Sequence, residues 1–193
     1  VFLSQGERPD FLARETDVLD PESVLATGRA LDLSPLRVWE LAAEHIEALK
    51  AAVEGLGVTL NYNDFYWTNL ALSVVARSGA YPLAVAGLLT EPPLADDPEA
   101  VVFDYHLLGV GMRYSDCRNV THVLSGDAAR SFWEVYGAVD PREALLDAPL
   151  STLYGLHVAS RMQEFPAWAE DSLKRVVNGD LERDLIEAID VIC

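Results

Sequence analysis

Asp64 and Asn69 stand five positions apart in Asn63-Asp64-Phe65-Tyr66-Trp67-Thr68-Asn69, directly after a short apolar run that includes Val58 and Leu60. A second carboxylate, Asp104, ends another apolar run, Val101-Val102-Phe103. Phosphoryl transfer needs such a set: one carboxylate takes the attacking hydroxyl's proton, while an amide oxygen and another carboxylate hold Mg2+ on the phosphates. An uncharged amide ligand adds no further negative charge beside the base. The bulky residues Phe65, Tyr66 and Trp67 would hold that base rigidly by packing. Asp and Asn are also ordinary turn formers and loop caps. The weight therefore falls on the order of the two halves, not on either half alone.

Loops of this kind must be placed by strands and helices. Val58 to Tyr62 reads as a short strand into the first loop, Leu70 to Val75 as a second strand, and Ala100 to Tyr105 as a third. Residues 76–100 hold an apolar run, Tyr81 to Leu89, between Gly79 and Pro92-Pro93, and read as a hairpin or an inserted loop. Helices flank this region. Asp20-Pro21-Glu22 predicts a helix start, with a capping Asp, a first-turn Pro and an acid at the positive end of the dipole, and the helix runs to about Leu31. Ser34-Pro35 repeats the signal, and Leu36, Trp39, Leu41, Ala42, Ile46 and Leu49 recur at helical spacing up to Gly55 and Gly57. Downstream, helices are expected over Asp116 to Leu124, Asp127 to Tyr136, from Asp140-Pro141-Arg142-Glu143, over Leu150 to Met162, from Pro166, and from Gly179-Asp180 to about Ile192. The fold class is α+β, mostly α-helical, with a few short strands around two polar loops. Residues 1–19 read as a lead-in segment or linker and 20–193 as one domain.

Composition narrows the possible partners. The chain has 193 residues, half of them apolar, enough for one sizeable core. Fourteen basic against thirty-one acidic residues give a formal charge of −17, so no continuous phosphate-binding stripe is expected and nucleic acid is not a partner. Such a surface suits solubility and would attract a cationic substrate. No apolar run is long enough to span a membrane, and Val1-Phe2-Leu3 followed by polar residues is not a signal peptide. Cys117 and Cys193 make no CxxC pair, and His45, His106, His122 and His157 make no HxxxH pair, so a zinc site is not expected and a cytoplasmic setting is. With no initiator Met, the chain is expected to begin inside a longer protein. Lys50 and Lys174 are the only lysines and neither follows a Gly-rich loop, so the usual parts that clamp ATP phosphates from above are not found. Ser115 and Ser125 have no neighbouring His and give no support to a serine nucleophile.

Asn63-Asp64-Phe65-Tyr66-Trp67-Thr68-Asn69-Leu70 resembles the catalytic loop of the aminoglycoside phosphotransferase and choline kinase group, a branch of the protein-kinase-like fold. Val102-Phe103-Asp104-Tyr105 is similar to that group's metal-binding segment, and Gly111-Met112-Arg113-Tyr114-Ser115-Asp116 to its downstream Gly-x-x-x-x-Asp, which opens a helix. The resemblance covers roughly Val58 to Leu124. It implies a kinase-like C-terminal lobe with Asp64 as catalytic base, and with Asn69 and Asp104 as ligands of Mg2+ and hence of bound ATP. It implies that Asp116 braces the catalytic loop from below and that Tyr62 supports the loop in place of the family His. The interval between Asn69 and Asp104 is longer than the family's, which places an insertion at residues 76–100. The ATP-clamping N-terminal lobe would lie outside this chain, or a homodimer would cover the surface it leaves.

The expected activity is then transfer of the ATP γ-phosphoryl to a hydroxyl of a small molecule. Glu164, Glu170 and Asp171 in the helical tail would suit a cationic acceptor such as an aminoglycoside or an amino alcohol. Two other readings compete. Tyr62 and the missing Lys favour a non-catalytic kinase-like binding module, and a helical regulatory domain would leave the loop matches to chance.

Overall fold

The computed structural model describes residues 15–57, 59–62, 69–72, 84–85, 100–102 and 108–192. Asp64 and Asp104 lie outside these residues. Asp20 opens the first helix. Its carboxylate accepts from the Ser23 N–H at 2.6 Å, and Ser23 Oγ accepts from the Asp20 N–H at 2.8 Å. This reciprocal cap, with Pro21 in the first turn, starts α1 (Pro21–Ala30) where the sequence predicts it. Donation from the Ser23 backbone also holds the Asp20 carboxyl below its ordinary value. At the other end Leu33 N–H donates to Gly28 O at 2.9 Å, a closure that needs the left-handed backbone of Asp32, φ 56°.

The second helix, α2, spans Val38–Gly55 and starts three residues later than Ser34-Pro35 suggests. No side chain caps it. Residues 34–37 instead form the approach, with Leu36 N–H donating to Leu33 O and Trp39 N–H to Leu36 O. The apolar stripe is otherwise as expected: Val38, Trp39, Ala42, Ile46, Leu49 and Val53 are buried. Leu36, ahead of the first turn, is exposed.

Among the described residues five short strands follow in sequence: β1 (Thr59–Asn61), β2 (Leu70–Leu72), β3 (Ala84–Val85), β4 (Ala100–Val102) and β5 (Gly109–Gly111). β1 pairs with β5, and β2 lies between β3 and β4. Both of β2's pairings are antiparallel, with Leu70 opposite Val102 and Leu72 opposite both Ala100 and Ala84. The Gly109-Val110-Gly111 strand has no counterpart in the sequence reading, because two glycines lower strand propensity. Val110, 2% exposed, supplies the burial that propensity does not.

Helices complete the chain: α3 (Arg113–Val123), α4 (Gly126–Tyr136), α5 (Pro141–Ala159), α6 (Glu170–Val177) and α7 (Asp180–Ile192). Two of them correct the sequence reading. α3 begins three residues before Asp116. α5 is one helix through Pro149, not a start at Asp140 followed by a separate helix from Leu150. Pro166 precedes a 3-10 turn, Ala167–Ala169, that leads into α6. Ser125 serves as the N-cap of α4, its hydroxyl accepting from Ala128 N–H. The observed class is α+β, mostly helical. No helix among the described residues is long and apolar enough to cross a membrane.

The contacts divide the chain into two units. The first takes Val1–Leu60, Gly109–Tyr114 and Val139–Cys193, and the second takes Asn61–Leu108 and Ser115–Ala138. The first holds the main core. In it α5 packs on α1 and α7, and α2 packs on α1 and α7. Leu19, Trp39, Ile46, Leu49, Leu146, Leu150, Leu153, Leu156, Leu181 and Leu185 are each at most 1% exposed. Lys50 Nζ donates to Leu19 O at 2.8 Å and so ties the start of α1 to α2. In the second unit, α4 buries no residue; Phe132 stacks on Tyr136, and Trp133 meets both edge-on.

Two predictions follow from the core. A Cβ at Gly28 would lie 2.7 Å from Trp39 Cγ, and Trp39 is 1% exposed, so the indole has no room to give way. Gly28→Ala should therefore destabilise by about 1–3 kcal/mol through overpacking, against a helix-propensity gain of only about 1 kcal/mol. A denaturant midpoint at or above wild type would refute the tight α1–α2 approach. His157 Nδ1 lies 3.2 Å from Thr27 Oγ1 in the same core. Burial, aided by the positive charge of Arg161, holds its pKa below the ordinary 6.5. On acidification the unfolded imidazole takes its proton first, so stability should be full above about pH 6.5 and fall as pH drops through the lower folded value. His157→Gln should flatten that slope in thermal melts taken above the carboxylate range; an unchanged slope would show that burial of His157 does not cause it.

Candidate functional site

Of the expected residues, Tyr62 and Asn69 lie beside strand ends. β1 ends at Asn61, which is fully buried, and Tyr62 follows at 9% exposure. A chain leaving a strand carries backbone donors with no ladder partner, and a buried one must find an acceptor elsewhere. For Tyr62 that acceptor is Asp116. The Tyr62 N–H donates to Asp116 Oδ2 at 2.8 Å across a sequence separation of 54. Asp116 lies in the first turn of α3, where a carboxylate is also favoured by the helix dipole. A bond to an ionised acceptor at this length belongs to the stronger class.

Asn69 is half-buried and immediately precedes β2. The ladder register matters here. Leu70 pairs with Val102, so the end at which the chain enters β2 from Asn69 is the end at which it leaves β4 toward Asp104. The structure thus brings Tyr62 and Asp116 together directly. Asn69 adjoins the end of β2 at which Leu70 faces Val102, the last residue of β4. Among the described residues, no group of three His, Cys, Asp or Glu side chains is gathered to hold a metal ion.

The acidic residues suggested for a cationic acceptor belong to the first unit. Glu164, Glu170 and Asp171 are all exposed, and Asp171 Oδ1 is paired with Lys174 Nζ at 2.7 Å. Glu170 and Asp171 fill the first turn of α6, the usual place for acids on a solvated helix.

Glu143 carries a role that sequence reasoning did not give it. Asp140-Pro141-Arg142-Glu143 was expected to act as a helix start. Asp140 does cap α5, accepting from Arg142 N–H at 2.9 Å. The Arg142 side chain bonded to it holds the Asp140 carboxyl down to about 2. Glu143, however, turns inward and is 4% exposed. Its Oε2 accepts from Tyr114 N–H at 2.9 Å, and its Oε1 lies 3.7 Å from Arg113 Nη2. A signal was present in the sequence: Glu143 falls on the helical stripe of Leu146, Leu150 and Leu153, a position where a charge needs a partner.

Removing the Asp116 carboxylate should leave the Tyr62 N–H without this acceptor. Asp116→Ala is expected to cost about 1–3 kcal/mol, and Asp116→Asn, which keeps an oxygen acceptor, clearly less. Equal melting temperatures for wild type and both variants would show that the bond contributes nothing. Compared with family models, with curated proteins and with solved structures, the chain matches none.

Proposed function

We propose that this chain carries the catalytic lobe of an ATP- and Mg2+-dependent phosphotransferase that transfers the γ-phosphoryl group to a hydroxyl of a small molecule. The observation that carries the proposal is the hydrogen bond from the Tyr62 N–H to Asp116. The resemblance requires a downstream Asp at a helix start to brace the loop two residues before the base. Asp116 was singled out for that position from its motif alone. The β2–β4 pairing is consistent with this reading, because Leu70, next to Asn69, faces Val102, two residues before Asp104 in sequence.

In this assignment Asp64 orients the acceptor hydroxyl and takes its proton as the oxygen bonds to the γ-phosphorus. The bond from that phosphorus to the β,γ-bridging oxygen breaks, and ADP leaves. Asn69 and Asp104 would hold Mg2+; an amide oxygen and a carboxylate are the oxygen donors such a hard cation takes. Bound Mg2+ would neutralise charge on the β- and γ-phosphate oxygens. Tyr62 and Asp116 do no chemistry themselves but fix the backbone from which the loop departs. A second reading, a non-catalytic binding module of the same fold, is favoured by Tyr62 where the family has His.

The test uses the full-length protein. Isothermal calorimetry should show Mg2+-dependent ATP binding, and ADP release should rise on adding an acceptor from a panel of amino alcohols and aminoglycosides. Asp64→Asn should lower kcat by about 10²–10⁴-fold at an unchanged melting temperature. Turnover near wild type would remove Asp64 as the base. Metal-dependent binding without any turnover would select the binding module, and no nucleotide binding would end both readings.

A further inference from the structure

We propose that Asn178 is a site of spontaneous modification, where its carboxamide closes on the backbone nitrogen of Gly179 and reopens as aspartate or isoaspartate. Nothing in this chemistry depends on the phosphotransferase assignment.

Of the five asparagines in the chain, Asn178 alone precedes a glycine. The neighbour matters because the attacking atom is its backbone nitrogen, and a Cβ on that residue crowds the approach. A Cβ built at Gly179 would meet nothing within 4 Å, so the space around the joint is open. Its φ of 84° is the left-handed conformation that glycine adopts without strain. Asn178 and Gly179 are both exposed, and they alone separate α6 from α7. Asparagine is among the thermolabile side chains. By contrast Asn61 and Asn119 are buried, and Tyr62 and Val120 follow them.

Two hydrogen bonds at the joint bear on the reaction. The Asp180 N–H donates to Asn178 Oδ1 at 3.1 Å. That oxygen takes up negative charge when a nitrogen adds to Cγ, and a donor already aimed at it stabilises the charge. The Gly179 N–H donates to Val176 O at 3.3 Å. Bonds of this kind usually fall at about 2.7–3.2 Å, so this one is easily given up. Asn178 stands at ψ 0°, so the attack also needs a turn about its Cα–C bond, and the open space at Gly179 permits it.

The steps need only water and hydroxide. Hydroxide takes the Gly179 N–H proton. The nitrogen pair bonds to Asn178 Cγ, and the carbonyl π pair moves onto Oδ1. As the double bond re-forms, the Cγ–Nδ2 bond breaks and Nδ2 leaves as ammonia, with a proton from water that restores the hydroxide. Water then opens the cyclic imide. Attack at Cγ breaks the new bond and gives aspartate. Attack at the backbone carbonyl keeps that bond and gives isoaspartate, whose main chain is one carbon longer. Val176, at 4% exposure, and Leu181, at 0%, anchor the joint on either side. So short a joint cannot take an added main-chain carbon without moving one of them. Isoaspartate therefore loosens α6 against α7, whereas aspartate adds only a charge.

Incubating the full-length protein in warm, mildly alkaline buffer, followed by tryptic mapping, reads the site directly. Cleavage at Arg175 and Arg183 releases Asn178 in one short peptide. That peptide should gain the mass of amide-to-acid conversion and become a methyl acceptor for protein isoaspartyl methyltransferase, while Asn61 and Asn119 keep their amides. Gly179→Ala should lose most of the conversion over the same period. The isoaspartate fraction, separated by ion exchange, should melt below the unmodified protein, and Asn178→Asp should melt close to it. If the native protein keeps the Asn178 amide for as long as the urea-unfolded chain takes to convert, the site is overturned. Conversion at Asn61 as fast as at Asn178 would do the same, since unfolding would then be the cause. Aspartate without isoaspartate would overturn the imide route. An isoaspartate fraction that melts with the unmodified protein would overturn the loosening of the joint.

Discussion

The backbone amides of Tyr62 and Tyr114 take acceptors from carboxylates far away in the sequence, Asp116 and Glu143. Both amides lie where regular structure cannot serve them, one just past a strand and the other in the first turn of a helix. Local caps solve the same problem elsewhere. Asp20 serves Ser23, Ser125 serves Ala128 and Asp140 serves Arg142, each within three residues. A local cap fixes one helix end and nothing more. A cap from a distant element also fixes where that end lies in space, because losing the placement strands a buried donor. Two side-chain oxygens thus help to fix the Tyr62 amide and the first turn of α3.

α5 can supply such an oxygen because its own position is over-determined. Pro149 offers no N–H to the Leu145 carbonyl, a defect that costs about 3 kcal/mol in an unsupported helix. Leu146, Leu150, Leu153 and Leu156 are each at most 1% exposed, and burying one such side chain contributes about 1.5–3 kcal/mol. Four of them outweigh the defect, and the helix continues. Polar groups share this buried surface, with Glu143, Asp147, Thr152 and His157 all under 5% exposed. Thr27 Oγ1 reaches His157 at 3.2 Å and links α1 to the same stripe. A helix held by leucines can carry buried polar groups at defined positions, and Glu143 is one of them.

What the sequence revealed follows the range of the interactions involved. Asp20-Pro21 and Asp140-Pro141 announced α1 and α5 because a cap is a three-residue affair. The stripe of Trp39, Ala42, Ile46 and Leu49 announced α2 because period is local. Asp116 could be singled out through a motif. The pieces that were missed depend on distant partners. The start of α3 at Arg113 has a distant acceptor in Glu143. β5 needs β1 and the burial of Val110 to overcome its glycines. The continuity of α5 through Pro149 needs the core on its far side. The inward turn of Glu143 was masked by neighbours that do cap the helix, so one signal concealed another. Asp64 and Asp104 lie outside the described residues, and that they meet Asn69 is a proposal drawn from motif order.

Charge sets a further condition on any phosphoryl chemistry here. The chain carries −17 formally, and its described cations are largely engaged close by. Lys50 donates to the Leu19 carbonyl and to Glu47, Lys174 pairs with Asp171, Arg130 with Asp127, Arg142 with Asp140, and Arg183 with Asp180. Exposed pairs of this kind are each worth little for stability, a median of about 0–1 kcal/mol, but every cation so placed has a carboxylate beside it that cancels its far field. A polyanionic nucleotide would approach against the net field until screening, over about 8 Å at physiological ionic strength, removes it. Two carboxylates at the phosphates, Asp64 and Asp104, would add to that repulsion at close range. On electrostatic grounds alone, such a site functions only if a divalent cation arrives with the nucleotide and reverses the local sign. The same surface field would draw a cationic acceptor inward. The assignment of Asn69, and not a third acid, beside the base is the choice this charge balance favours: an amide oxygen binds the metal without deepening a field that already opposes the nucleotide.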